Sequence, residues 1–531
     1  MKAPPRHAVR FLRWFCREDY LEEIEGDLTE VYELESQRSP QRARWKFIWS
    51  VLRYLRPGFI KTLRLFERKN SFDMYRNYLV TGKRTLIKNK WYTLINVAGL
   101  ALGLSSSIFI FLFVSHHLQF DKFHNQSERI YRLVTEEHRD YVDYDAAVPP
   151  GFANAFKSDY AYAEKVAKIV SQRNMLVTID QDKRFKEYVV FAEPDFFDIL
   201  NFPLVSGAKP NLTGSNSAVI TPSAARRFFG DQDPIGKSLQ LDGKEFATVV
   251  GILKDIPETT VIKGDIFVSF PLLKHYDNFL ASESWGGVST DLQCFVRLYP
   301  GQDVIEIEKS IAGYVPKFRP KSKNVHHYKL QALSDIHFDP RYGGGINPSL
   351  LWIFSFIGVF LLAVASINFI NIATAQSMNR SKEVGVRKVL GSRKSNLFWQ
   401  FMTETTLVTL LAFILAVMIV VSLLPYVNTI FELALSLTSL FTLDFAVFGS
   451  VLLLVIILMS GSYPGIVLAR TAPLLALKGA LGKHGDGLMI RKGLVVGQFV
   501  ISMVLIIGTI GVNKQISFAT KSDLGFAKSG V

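Results

Sequence analysis

Five long apolar segments constrain this 531-residue chain more than any other feature. They run over 91–115, 350–376, 397–424, 445–469 and 493–512, each at or beyond the ~20 residues that a helix needs to cross a bilayer. Hydrocarbon offers no water to free backbone N–H and C=O groups, so spanning segments of this kind must be helical. The chain carries 61 Lys+Arg against 47 Asp+Glu, and its mean hydropathy is +0.18. Such a basic balance can serve nucleic acid, but the cations gather beside the spans: Lys83, Arg84, Lys88 and Lys90 before the first, Arg491 and Lys492 before the last. Without zinc-finger spacing or an RNP-like motif, no nucleic-acid partner is expected.

The flanking cations set an orientation, because short loops rich in Lys and Arg stay in the cytoplasm. The expected protein is multi-pass, surrounded by lipid, with a cytoplasmic N-terminus. Residues 1–75 read as a small cytoplasmic helical domain. Phe11, Leu12, Phe15, Leu21, Ile24, Leu28, Val31 and Leu34 recur at helical spacing, and a second helix is expected over 42–55, ended by Pro57-Gly58. Segment 116–348 is large enough for an extracytoplasmic domain with its own core. Strands are expected over 186–191, 217–221, 247–253, 265–270 and 293–298, and helices over 194–200, 222–229 and 304–314. The fold class is therefore an α-helical transmembrane bundle of about five spans, with a large α+β extracytoplasmic domain, in two subdomains, and a small N-terminal cytoplasmic helical domain.

Between the second and third spans lies a cytoplasmic loop, 377–396, containing Arg380-Ser381-Lys382-Glu383-Val384-Gly385-Val386-Arg387-Lys388-Val389-Leu390-Gly391. Residues 381–389 have helical propensity and Gly391 is placed to stop the helix. Such a helix can present Glu383, Arg387 and apolar neighbours to a partner; the plainer reading is that its cations only enforce orientation. In the first span Gly99 and Gly103 form a GxxxG pair that lets another helix approach, although small residues are also simply tolerated in lipid. Pro464, late in the fourth span, is expected to kink or end that helix. A cytoplasmic linker, 470–492, leads to the fifth span, which resembles the first and suggests the opening of a second, incomplete repeat. On that reading the chain is a fragment of a double-length protein.

Other residues carry less. Cys16 and Cys294 fall on opposite sides of the membrane and cannot pair. His116-His117 with Asp121 and His124, and His326-His327, lack metal-site spacing and are expected in polar positions, at the membrane exit and on the domain surface. Asn211-Leu212-Thr213 is a formal glycosylation sequon. Glu404, near the cytoplasmic edge of the third span, is expected to play a structural part, with a proton relay as the alternative.

The basic loop resembles the signature of the FtsX/MacB-type permease family of ABC transporters. Ala192-Glu193-Pro194-Asp195-Phe196-Phe197, Ser217-Ala218-Val219-Ile220-Thr221-Pro222 and Asp233-Pro234-Ile235-Gly236-Lys237 are similar to pieces of that family's MacB-like periplasmic core domain. Gln498-Phe499 and Asp523-Leu524-Gly525-Phe526 are similar to the start of the second half in double-length members, and residues 1–75 resemble a permease prefix domain. The resemblance implies a bacterial inner-membrane permease, paired with a second permease half or a homodimeric copy, and driven by a pair of separate cytoplasmic ABC ATPase subunits. Arg380, Lys382, Glu383, Gly385, Arg387, Lys388 and Gly391 would form the ATPase-coupling loop. No GxxxxGK[ST] motif occurs; Gly236-Lys237-Ser238 after Gly230 is a near miss. The chain is thus expected to be no enzyme, to bind no cofactor, and to leave ATP to its partner. An ion-coupled secondary transporter and a membrane-anchored binding module remain the competing readings.

Overall fold

The computed structural model describes residues 4–16, 18–36, 39–55, 67–179, 183–207, 212, 214, 216–320, 323–470 and 486–521. Pro57-Gly58, Asn211 and Thr213 of the sequon, most of the 470–492 linker and Asp523-Leu524-Gly525-Phe526 lie outside these residues. The chain forms two compact units: 1–93 with 380–407 and 464–479, and 94–379 with 408–463 and 480–531.

In the first unit, α1 (Arg6–Phe15), α2 (Glu18–Ser36) and α3 (Pro40–Arg53) enclose Leu12, Phe15, Ile24, Leu28, Tyr32, Ala43, Phe47 and Val51. Three helices replace the two expected, since α1 ends at an extended Cys16. Phe11, Val31 and Leu34, expected within the helical stripe, are exposed. A further helix, α4 (Glu67–Lys88), crosses the expected domain boundary at 75.

The second unit begins inside α5 (Lys90–Leu118), the first of five helices long and apolar enough to cross a membrane. Between α5 and the next span stand eleven strands: β1 (Ile130–His138), β2 (Val142–Asp145), β3 (Ala163–Ile179), β4 (Lys183–Ala192), β5 (Leu204–Gly207), β6 (Ser217–Ile220), β7 (Ser238–Leu241), β8 (Glu245–Leu253), β9 (Ile266–Ser269), β10 (Leu292–Leu298) and β11 (Val325–Ala332). Interleaved are α6 (Phe152–Asp159), α7 (Phe196–Ile199), α8 (Pro222–Phe229), α9 (Val304–Ile311), α10 (Tyr314–Phe318) and α11 (Leu333–Ile336).

The strands join in the order β11-β1-β10-β3-β4-β9-β6-β8-β5, with β2 on β1 and β7 bridging β3 and β8. The two expected subdomains are thus one sheet, because the long β3 pairs with β10, β4 and β7 and carries it across. Alternate residues face opposite sides. Val189, Phe191, Ile266, Val268, Cys294 and Val296 enter one core with α6, α8 and α9, while Val190, Ala192, Phe267 and Phe295 enter a second with α7 and α11. A sheet covered on both faces explains the unbroken apolar runs.

The remaining spans are α12 (Pro348–Asn379), α14 (Lys394–Phe431), α15 (Leu443–Arg470) and α16 (Asp486–Lys521), with the short α13 (Ser381–Val389) between α12 and α14. The α16 helix lies along α12. Neither proline ends a span: α14 continues past Pro425 and α15 past Pro464. Each forfeits one i→i−4 bond, but leaving the helix inside lipid would free many more backbone groups.

Candidate functional site

The turn between α12 and α14 is built from its own sequence. Glu383 sits in the first turn of α13 and Arg387 and Lys388 in the last, each matching the helix dipole. Glu383 accepts from Arg387 Nη2 at 2.6 Å, an i,i+4 pair. Gly391, at φ +96°, closes the helix: its N–H donates to the Lys388 carbonyl and that of Ser392 to Arg387, the paired bonds of a Schellman cap. A side chain at this φ would be strained.

Two arginines of this turn reach α14. Arg387 Nη1 donates to Gln400 Oε1 at 3.0 Å, and Arg380 Nη1 to Glu404 Oε2 at 2.9 Å. These groups enclose a cavity of about 40 Å³ together with Thr85, Val384, Leu397 and Phe401. Glu404 is buried and ion-paired, which satisfies an acid that would otherwise be costly so near the membrane. Gly385 is buried, whereas Val386, Val389 and Leu390 are exposed to 47%, 67% and 80%. Burial and the nearby Lys394 charge lower the pKa of Lys388. The Lys382 side chain lies outside the described set. The expected presentation of both Glu383 and Arg387 is therefore divided: Glu383 remains exposed, but Arg387 braces α13 against α14.

Two contacts that the sequence did not flag hold the start of α14. A Cβ on Gly82 of α4 would stand 3.1 Å from Leu407 Cδ1 and 3.5 Å from Glu404 Cγ; one on Gly465 of α15 would stand 3.0 Å from Phe398 Cδ2. Gln400 was also missed, although the Gln400-to-Glu404 spacing puts both on one helix face.

In the second unit, α5 and α12 approach closely at the GxxxG pair. A Cβ on Gly103 would lie 2.6 Å from Ala365 Cβ, and one on Gly99 3.5 Å from Asn368 Nδ2. One turn on, Ser107 Oγ lies 3.4 Å from the Gly358 carbonyl. These two helices are the chain's connections into and out of the sheet domain.

The histidines depart from expectation. His117, His124 and His326 are buried. His117 Nδ1 lies 2.8 Å from His337 Nε2, and His326 Nε2 lies 3.3 Å from Glu137 Oε1. Adjacent residues on a strand face opposite ways, so His326 turns in while its neighbour His327 does not. Among the described residues, no three His, Cys, Asp or Glu side chains form a metal-binding group.

Comparison with known proteins yields two family matches. Residues 93–314 match the MacB-like periplasmic core domain and residues 355–473 the FtsX-like permease C-terminal family. The macrolide export ATP-binding/permease protein MacB of Escherichia coli (strain K12) is 24% identical over 353 residues, covering 63% of this chain and 51% of that protein. MacB of Bdellovibrio bacteriovorus is 23% identical over 194 residues, covering 36% and 28%. This chain thus spans 28% and 51% of the length of these two relatives, the Bdellovibrio and the Escherichia coli protein respectively. The crystal structure of the periplasmic region of MacB from Actinobacillus actinomycetemcomitans aligns at a TM-score of 0.29 and 16% identity, over 39% of this chain and 90% of that one.

Proposed function

This chain belongs to the FtsX/MacB-type family of ABC transporter permeases, and from that premise we propose that it works by mechanotransmission. A separate pair of cytoplasmic ABC ATPase subunits docks on α13, and their movement on binding and hydrolysing ATP is passed to α12 and α14. Substrate export or extraction is then driven at the large domain outside, with ATP bound and hydrolysed on the partner subunits.

One observation carries the reading: α13 is braced by Arg380–Glu404 and Arg387–Gln400 while its apolar edge stays uncovered. A helix braced in this way transmits a push; a merely charged loop needs neither the brace nor the edge. The close packing of α5 on α12 supplies the next link, because displacement of α12 reaches both connections to the sheet domain.

The test is ATPase stimulation by the full chain in lipid nanodiscs. Val386→Asp and Leu390→Asp, like Glu383→Lys and Gly385→Trp, are expected to insert normally yet return the partner's ATPase rate to that of the isolated ATPase. Undiminished stimulation in the two aspartate variants would sink the proposal.

A further inference from the structure

The N-terminal helices carry a second apolar stripe that their own core leaves unused. The α3 helix buries Ala43, Phe47 and Val51, and at 100° per residue Trp45, Ile48, Trp49 and Leu52 fall on the far side. Trp45 and Trp49 are exposed to 76% and 71%. The buried stripe faces α2, where the Tyr32 and Phe47 rings meet edge to face at 5.6 Å, so the tryptophans point away from α2. Exposed Arg42, Arg44 and Arg53 border them. The remaining cation of the helix, Lys46, is turned back onto Glu35 of α2 at 3.0 Å. The exposed carboxylates of Glu22, Glu23, Asp27, Glu30 and Glu33 all belong to α2.

We propose that the Trp45/Trp49 face of α3 docks on an anionic bilayer surface, in the leaflet at the N-terminal end of the first span. Indole rings favour the boundary between headgroups and acyl chains, and flanking arginines gain from anionic lipid. A helix apolar on one face with cations at its edges is the form that lies in such an interface. Charge supports this occupant over a protein: the basic, aromatic side of the unit is α3 and the acidic side is α2, which an anionic surface would repel. Tethering adds to it. The chain from α3 enters the membrane at Lys90 after α4, the one intervening helix among the described residues, so the stripe is held near lipid at high effective concentration.

The experiment uses the full chain in nanodiscs, with an NBD fluorophore attached at Trp45→Cys and, as control, at Glu30→Cys. The native Cys16 and Cys294 are buried. In discs containing phosphatidylglycerol, nitroxide-labelled lipid is expected to quench NBD at 45 and leave it untouched at 30. Quenching at 45 is expected to weaken in pure phosphatidylcholine discs and in the Arg42→Glu/Arg53→Glu background. Unquenched, water-exposed emission at 45 in phosphatidylglycerol discs overturns the proposal. So does emission that is shielded from water but unquenched by the lipid nitroxide, which would mean that protein covers the face.

Discussion

The sheet domain and the α13 turn treat apolar residues in opposite ways. In the sheet, apolar side chains turn inward on both faces, and Val190, Phe191, Phe267 and Phe295 are fully buried. At α13 the arginines turn inward, onto Glu404 and Gln400, and Val386, Val389 and Leu390 turn outward. The first arrangement is complete in itself. The second leaves apolar surface that becomes favourable only when something lies against it. Stability should therefore reside in one region and communication in the other, and the two should respond differently to the same insult.

The largest separation is expected from paired substitutions. Phe295→Ala removes a ring that packs between the strands and Phe196, and should cost about 3–5 kcal/mol. Leu390→Asp replaces a residue that touches little, and should leave stability within about 0.5 kcal/mol while abolishing ATPase stimulation. Thermal melting of the two variants checks this, and similar melting temperatures would break the distinction.

Acid should separate the regions next. Burial lowers the pKa of His326 to about 4, helped by Arg319 and Arg139 and opposed by Glu137. Burial likewise takes His337 to about 4, opposed by Asp121 and helped by His116 and Lys263. Both folded-state values lie below the unfolded value of about 6.5. The unfolded chain therefore takes up protons that the native imidazoles refuse, and the stabilisation present at neutral pH is lost as pH falls from 6.5 toward 4. Each histidine contributes at most about 1.4 kcal/mol per pH unit. Melting at pH 7, 6 and 5 should show a falling curve that His326→Gln flattens; a pH-independent transition would contradict it. The segment 380–394 contains no histidine and offers no such sensitivity.

The contrast also explains what could be read from the residues alone. Strands β4, β6, β9 and β10 were legible because burial on both faces demands apolar runs, and β8 because its burial alternates along an apolar sequence. β1, β3 and β11 were not, because their polar groups are satisfied only after pairing. Arg132 of β1 meets Gln331 of β11 at 2.7 Å, and Glu137 stands opposite His326 in the register. The buried Lys168 of β3 reaches the Pro150 carbonyl and lies near Glu283. No local pattern announces such partners. At α13 the helix and its glycine stop were legible because capping is local chemistry. The Arg380–Glu404 and Arg387–Gln400 brace was not, since it needs the second helix in place.

The smallest expected effect is the sharpest test of how α13 works. Gly391→Ala puts a side chain on a residue at φ +96° and should cost about 1–2 kcal/mol within the cap. If the ATPase binds only the formed helix, a loss of about 1.4 kcal/mol lowers its apparent affinity by up to about tenfold. The global melting temperature should barely move, because the sheet cores do not include this turn. Gly391→Asn should lose less affinity, since asparagine tolerates positive φ better than alanine. An alanine variant that binds the ATPase as tightly as the parent, with its turn demonstrably strained, would show that docking does not require α13 to be folded. The brace onto α14 would then have to be explained as packing alone.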